Sequence, residues 1–192
     1  MSLQQTKLIL TDSTEMIIRG CLIGDRASQA KLYHLFANKM MGLCLWYARN
    51  REEAEEILQD GFVRVFRYMH TYSRAGSFEG WVRSTMVSAA LSKYRNKSIR
   101  MWVVTEFNSH VHDVSEEAGI ISKYDEKELI KLVQQLPPAY RMVFNLYVFE
   151  GLKHREIAEA LQISEGTSKS NLSDARKILQ NSISVKKKIA TI

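Results

Sequence analysis

Proline is nearly missing from this chain: two in 192 residues, adjacent at Pro137 and Pro138. Glycine is sparse too, at nine. A fold of many short strands needs turn residues in number, so this poverty argues against a sheet-rich architecture. The cysteines are Cys21 and Cys44 and no others. Two lone cysteines make neither a zinc site nor a disulfide framework, and we expect buried thiols in a reducing cytoplasm. No apolar run approaches the roughly 18 residues of a membrane helix, so no membrane insertion is expected. The opening MSLQQTKLILTDSTEM lacks an apolar core after a basic start and a small-residue cleavage site, so we expect no signal peptide. There is also no Gly-rich phosphate loop, metal-ligand cluster or nucleophile motif. An enzyme is not expected, nor a cofactor or metal. His110 and His112, two apart in a polar stretch, read as solvated.

What is present is helical periodicity. Apolar spacing predicts helices over about 14–23, 26–36, 39–49, 51–70, 78–97, 126–136, 138–150, 153–161 and 165–181, with no convincing strand. Asn50 precedes REEAEEIL with Glu53 three residues on, the spacing of a capping box. Ser77 and Ser164 are further N-cap candidates. Pro137 and Pro138 end one helix and start another. The stretch 98–125 has weak periodicity and reads as a linker. The expected fold is all-α: two small helical domains joined by a flexible linker, the second containing a helix-turn-helix. We place a flexible N-terminus at 1–13, the first domain at 14–97, the second at 126–182 and a basic tail at 183–192.

Charge follows the same division. The chain carries a net +6, which tilts toward a polyanionic partner. Residues 102–128 hold seven acids against Lys123 and Lys127, a net of −5. Lys93, Arg95, Lys97 and Arg100 precede them, and residues 153–188 carry a net of +4. An acidic connector between two basic helical units suggests bipartite binding of nucleic acid.

The second unit carries the sharper pattern. KHREIAEAL at 153–161 puts Ile157, Ala158 and Leu161 on one side, QIS makes a turn, and Ile163 can plug the core. On the next helix, Ser168, Leu172, Ala175 and Leu179 fall within one narrow arc at about 100° per residue. Gly166, Ser170, Ser173 and Lys177 fall opposite, with Lys169 and Arg176 on one flank. Small buried residues let two helices cross closely, and short outer side chains let a backbone enter a major groove. Gly166 and Thr167 sit in the first turn, where the helix dipole favours phosphate. The blander reading is an ordinary solvated helix in a bundle.

In the first unit, Ala54, Ile57, Leu58, Gly61 and Val65 point inward, while Glu53, Glu56, Asp60, Arg64 and Arg67 form an outward stripe edged by Gln59. Such a stripe is either a solvated face or a docking surface for a basic helical partner. The loop 71–77 and the helix after it interleave Tyr72, Phe78, Trp81 and Tyr94 with Arg74, Arg83 and Arg95. Aromatics among basic residues suit unstacked bases. They also make helical cores, and Phe78, Val82, Met86 and Ala89 align as buried residues, while Ser84, Ser88, Ser92 and Arg95 share a polar face.

Four segments in this order resemble an RNA polymerase sigma factor of the extracytoplasmic-function (ECF) group. They are AEEILQDGFVRVF at 54–66, GSFEGWVRSTMVSAALSKYR at 76–95, QLPPAYRMVFNLYVFEGLKHREIAEAL at 135–161 and ISEGTSKSNLSDARKIL at 163–179. The resemblance implies that Glu53, Glu56, Gln59 and Asp60 dock on the clamp coiled coil of core RNA polymerase, with the flap as a second contact. It implies that Tyr72, Ser73, Arg74, Ser77, Trp81, Arg83, Ser84, Ser88, Ser92 and Arg95 melt and hold the minus-ten element. It further implies that Arg155, Gly166, Thr167, Lys169, Ser170, Ser173, Arg176 and Lys177 read the minus-thirty-five element. The acidic linker would thread the polymerase interior, and an anti-sigma factor is a further partner common in the family. The chain departs from the family pattern at Thr85, Ser88, Ser92, Asn171 and Asp174, and mildly at Glu56. The competing expectation is a stand-alone helix-turn-helix regulator that binds duplex DNA without polymerase.

Overall fold

The computed structural model describes residues 14–95 and 126–189, with side chains to Ser184. The described residues are helical and contain no strand. Helix α1 covers 14–22. Helix α2 runs Arg26–Tyr47, α3 Arg51–Tyr68 and α4 Phe78–Arg95, with a 3-10 turn at Met69–Thr71 after α3. The second unit has α5 (Glu126–Gln134), α6 (Pro138–Val148), α7 (His154–Leu161) and α8 (Glu165–Ile189). The expected linker, with His110 and His112, lies outside the described residues.

Two boundaries differ from expectation. The segments 26–36 and 39–49 form one helix, α2. Phe36 and Met40 are both buried on its inner face, so packing carries the helix across Ala37 and Asn38. Helix α8 continues to Ile189, through most of the segment expected as a tail. The expected caps are present. The Ser77 and Ser164 hydroxyls accept from the Gly80 and Thr167 N–H groups at 3.0 and 2.9 Å. Asn50 accepts from the Glu53 N–H at 2.9 Å, but Glu53 accepts from the Arg49 N–H rather than closing the box on Asn50. Pro137 and Pro138 stand at the N-cap and first position of α6.

Leu32, Phe36, Met40, Leu43 and Tyr47 make the inner stripe of α2 and meet Ile57, Phe62 and Val65 of α3 and Val82, Met86 and Ala89 of α4. Helices α3 and α4 pack closely at Gly61, where a Cβ would overlap the Met86 sulfur. Cys21 and Cys44 are buried free thiols, and burial pushes the Cys44 thiol up to about 12. The core does not stop at the first unit. Met142, Val143 and Leu146 of α6, Ile157 and Leu161 of α7 and Leu172 of α8 belong to the same apolar cluster.

The seam between the units is also polar. Helix α2 ends with carbonyls that lack intrahelical partners. Gln134 Nε2 donates to Leu45 O at 3.0 Å, Asn145 Nδ2 to Trp46 O at 2.6 Å and Arg141 Nε to Tyr47 O at 3.1 Å. Three successive carbonyls of the first unit are therefore capped by side chains of the second. Beside them Glu150 Oε1 accepts from both Tyr47 Oη at 2.9 Å and Arg83 Nη2 at 2.6 Å.

Candidate nucleic-acid and polymerase interfaces

The helix-turn-helix is built by a left-handed stop. Gln162, at φ 56° and ψ 46°, turns the chain out of α7. The Ile163 N–H donates to Ala158 O at 3.0 Å and the Gln162 N–H to Glu159 O at 3.4 Å, the paired bonds of a Schellman motif. Ile163 then packs on the core and Ser164 caps α8. The predicted split of α8 is present. Ser168, Leu172 and Ala175 are buried against α7 and α6, while Gly166, Thr167, Lys169, Ser170, Ser173 and Lys177 are exposed.

The cations on this face stand in local pairs. Lys169 meets Glu165 at 2.7 Å, Lys177 meets Asp174 at 3.3 Å and Arg155 meets Glu159 at 3.8 Å. Exposed pairs of this kind stabilise little, so a phosphate can replace the carboxylate at small cost. The Lys169 ammonium also holds the Glu165 carboxyl below its ordinary range. Arg176 is half-buried, its guanidinium 5.6 Å from the centroid of the Tyr147 ring. Under this face, His154 stacks on Tyr147 and its Nδ1 lies 3.0 Å from the buried Ser168 hydroxyl. Burial, then the nearby Lys169, push the His154 imidazole below its ordinary pKa against the opposing pull of Glu165.

In the first unit the stripe on α3 is shorter than expected. Glu56, Gln59 and Asp60 are exposed, Glu56 paired with Lys93 and Asp60 with Arg64 at 2.9 Å. Glu53 is drawn in. Its carboxylate takes the Arg49 N–H at 2.6 Å and Arg49 Nε at 3.0 Å, leaving 15% of the side chain exposed. Burial alone would raise its pKa, but the bonds from Arg49 outweigh that and lower it.

The loop before α4 is closed by Tyr72 Oη donating to Gly76 O at 2.6 Å. Tyr72, Phe78 and Trp81 form one aromatic group with centroids 5.2 to 5.9 Å apart. Ser73, Arg74 and Ser77 are exposed around it, Arg74 in the left-handed region at φ 64° and paired with Glu15 at 2.5 Å. The expected polar face of α4 is less open than its sequence suggests. Ser84, at 6% exposure, is buried, Ser88 is half-buried, and Ser92 accepts from Arg64 Nη1 at 3.0 Å. Ser84 therefore offers no surface in this arrangement, because α2 and α3 both pack against α4. Arg95 Nε is buried without a hydrogen bond among the described residues, and burial lowers its pKa.

The sequence reading missed Tyr47, Arg141, Asn145 and Glu150. A signal existed for two of them: Arg141 and Asn145 stand four apart in the otherwise apolar PAYRMVFNLYV, which places two polar side chains on one face of a core helix.

Comparison with known proteins decides between the two expectations. The Sigma-70 region 2 model matches residues 32–99 and the Sigma-70, region 4 model matches 126–179. The chain belongs to the ECF group of RNA polymerase sigma factors. These are promoter-directing initiation factors, so the expectation of a stand-alone regulator is overturned by the region 2 match. Among its relatives, ECF RNA polymerase sigma factor SigE of Mycolicibacterium smegmatis is 29% identical over 82% of this chain, which spans 63% of that protein's length. The ECF RNA polymerase sigma-E factor of Haemophilus influenzae is 24% identical over 91% of this chain and 96% of its own. ECF RNA polymerase sigma factor SigW of Bacillus subtilis is 24% identical over 83% of this chain and 91% of its own. No described helix of this sigma factor is long and apolar enough to cross a membrane.

Proposed function

We propose that the two units divide promoter recognition between them. The observation that carries this reading is the outer face of α8. Small residues Gly166, Thr167, Ser170 and Ser173 lie exposed together with Lys169 and Lys177, opposite a buried stripe of Ser168, Leu172 and Ala175. Such a face enters a major groove with little bulky obstruction and brings two cations within reach of phosphate. In this reading α8, with Arg155 and Arg176, takes the minus-thirty-five duplex. The aromatic group of Tyr72 and Trp81, with Ser73, Arg74, Ser77, Arg83, Ser88, Ser92 and Arg95, takes the unpaired minus-ten strand. Glu56, Gln59 and Asp60 dock on the polymerase clamp coiled coil, and the second unit meets the flap. The protein acts in the cytoplasm with polymerase, which supplies all the chemistry.

Glu56→Lys with Asp60→Lys tests the docking surface. Both side chains are solvent-facing, so helicity is expected unchanged while affinity for core polymerase falls at least tenfold, measured by co-purification and by promoter-dependent transcription. Unaltered affinity would place docking elsewhere, and no transcript from wild type with core enzyme would overturn the reading.

A further inference from the structure

We propose that the closed arrangement is self-inhibitory: Glu150 occupies Arg83 as a stand-in for a promoter-strand phosphate, and the cap on α2 holds the second unit in place until DNA displaces it. The proposal rests on the assignment of Arg83 to the minus-ten strand.

The two promoter elements lie about 25 base pairs apart, which at 3.4 Å per pair is about 85 Å along straight duplex. A compact chain of this length has a radius of gyration of about 16 Å and is therefore about 40 Å across. The closed form brings the C-terminal end of α2 within hydrogen-bond distance of α6, so it cannot present α4 and α8 to both elements at once. The 28 residues of 98–125 reach about 95 Å when extended, enough for the separated units to engage together. Engaging both elements at once therefore requires the seam to part.

The seam is built to part at one place. The bonds from Gln134, Asn145 and Arg141 end on main-chain carbonyls, and Arg141 and Asn145 are buried out of reach of DNA. The bond between Arg83 and Glu150 is different. A carboxylate and a phosphate offer an arginine the same paired oxygens. Glu150 keeps 11% of its side chain exposed and Arg83 31%, so an incoming phosphate reaches the guanidinium from the solvent side. Once Arg83 is taken, Glu150 remains beside Tyr47, whose buried hydroxyl holds the same oxygen. A buried carboxylate that has lost its cation favours leaving the seam for water. Binding at α4 thus weakens the contact that holds α6 against α2. The face of α8 stays open throughout, so the minus-thirty-five duplex remains able to bind the closed form.

The test uses the full chain. Small-angle scattering without DNA reads the seam directly. Wild type is expected to be compact, and Gln134→Ala/Asn145→Ala/Glu150→Gln is expected to shift to a larger radius at unchanged helicity by circular dichroism. Anisotropy with a labelled mixed-sequence single-stranded DNA 20-mer reads the competition. Glu150→Gln alone, a shape-conserving change at the rim, is expected to bind about tenfold more tightly than wild type. Addition of the 20-mer is expected to expand wild type. An extended wild type overturns the closed form. Equal affinities for wild type and Glu150→Gln overturn self-inhibition even if the seam is present. Failure of the minus-ten assignment is separable: Arg83→Ala in the Glu150→Gln background would then leave 20-mer affinity unchanged, whereas the proposal expects a loss.

Discussion

Arg141 is 2% exposed, and its guanidinium makes no ion pair among the described residues. Its bonds end on carbonyls: Tyr47 O at 3.1 Å, Gln134 O at 2.9 Å and Leu136 O at 3.2 Å. Burial lowers its pKa, with the Glu53 carboxylate pulling the other way. Arg141→Met keeps the apolar stem but leaves three carbonyls without donors, each costing about 1–3 kcal/mol when buried. Relief of guanidinium desolvation offsets part of this. The expected net loss is about 3 kcal/mol, read as a lower urea midpoint at unchanged slope. His154 sets a pH response of opposite character. Its folded pKa lies below the ordinary value of 6.5. The folded protein therefore binds fewer protons than the unfolded chain just below that value, and stability is full above pH 6.5 and declines as pH falls toward the folded pKa. Melting temperature is expected to drop between pH 7 and pH 5 by more in wild type than in His154→Gln.

The joint between α7 and α8 shows how an element can contradict its own residue. Gln162 adopts a conformation that favours glycine, and it does so because two bonds of the Schellman turn require it. Gln162→Gly is expected to raise stability by about 0.5–1 kcal/mol, measured by thermal melts, with DNA affinity unchanged because Gln162 precedes the recognition helix. Local chemistry of this kind decides what the sequence reveals. The caps at Ser77 and Ser164 and the break at Pro137 and Pro138 were legible because the signal and the structure involve the same few atoms. The continuity of α2 was not legible. It depends on Phe36 and Met40 being buried by helices distant in sequence. The face of α8 was read correctly because its two sides differ in side-chain size, whereas Ser84 looks like any other surface serine until α4 is packed. Glu53 was legible as part of the α3 start, but its bond to the Arg49 N–H rather than to Asn50 was not, because that choice depends on how the chain enters the helix.

At the scale of the molecule, charge is arranged by unit. Glu56 and Asp60 stand on α3 and pair with Lys93 and Arg64 of the same unit, while Lys169 stands on α8 and pairs with Glu165 of its own helix. Perturbations of the two faces are expected to be additive. Lys169→Ala with Arg176→Ala should weaken promoter duplex binding and reduce its salt slope by about 2, one for each phosphate that the two cations neutralise. Combining it with the α3 charge reversal should leave that slope as in the α8 variant alone, read by titrations across a range of salt concentrations. An α3 substitution that changed the slope would mean the two units bind DNA as one surface. The seam was the least legible feature of all. Its donors and acceptors are about 90 to 100 residues apart in the chain, and periodicity carries no information at that range.

At the end of α2, the receiving side of the cap is written in main chain. Leu45, Trp46 and Tyr47 contribute carbonyl oxygens, which any amino acid would supply at those positions. Substitutions along the end of α2 can therefore drift without erasing the acceptors, provided the helix still ends there. The vocabulary of this cap belongs to one partner alone, in Gln134, Arg141 and Asn145, whereas the Glu150 contact beside it also reads the side chains of Tyr47 and Arg83. A lineage could loosen or tighten its own restraint by editing those three letters, while the surface they grip stays constant by the geometry of the peptide bond.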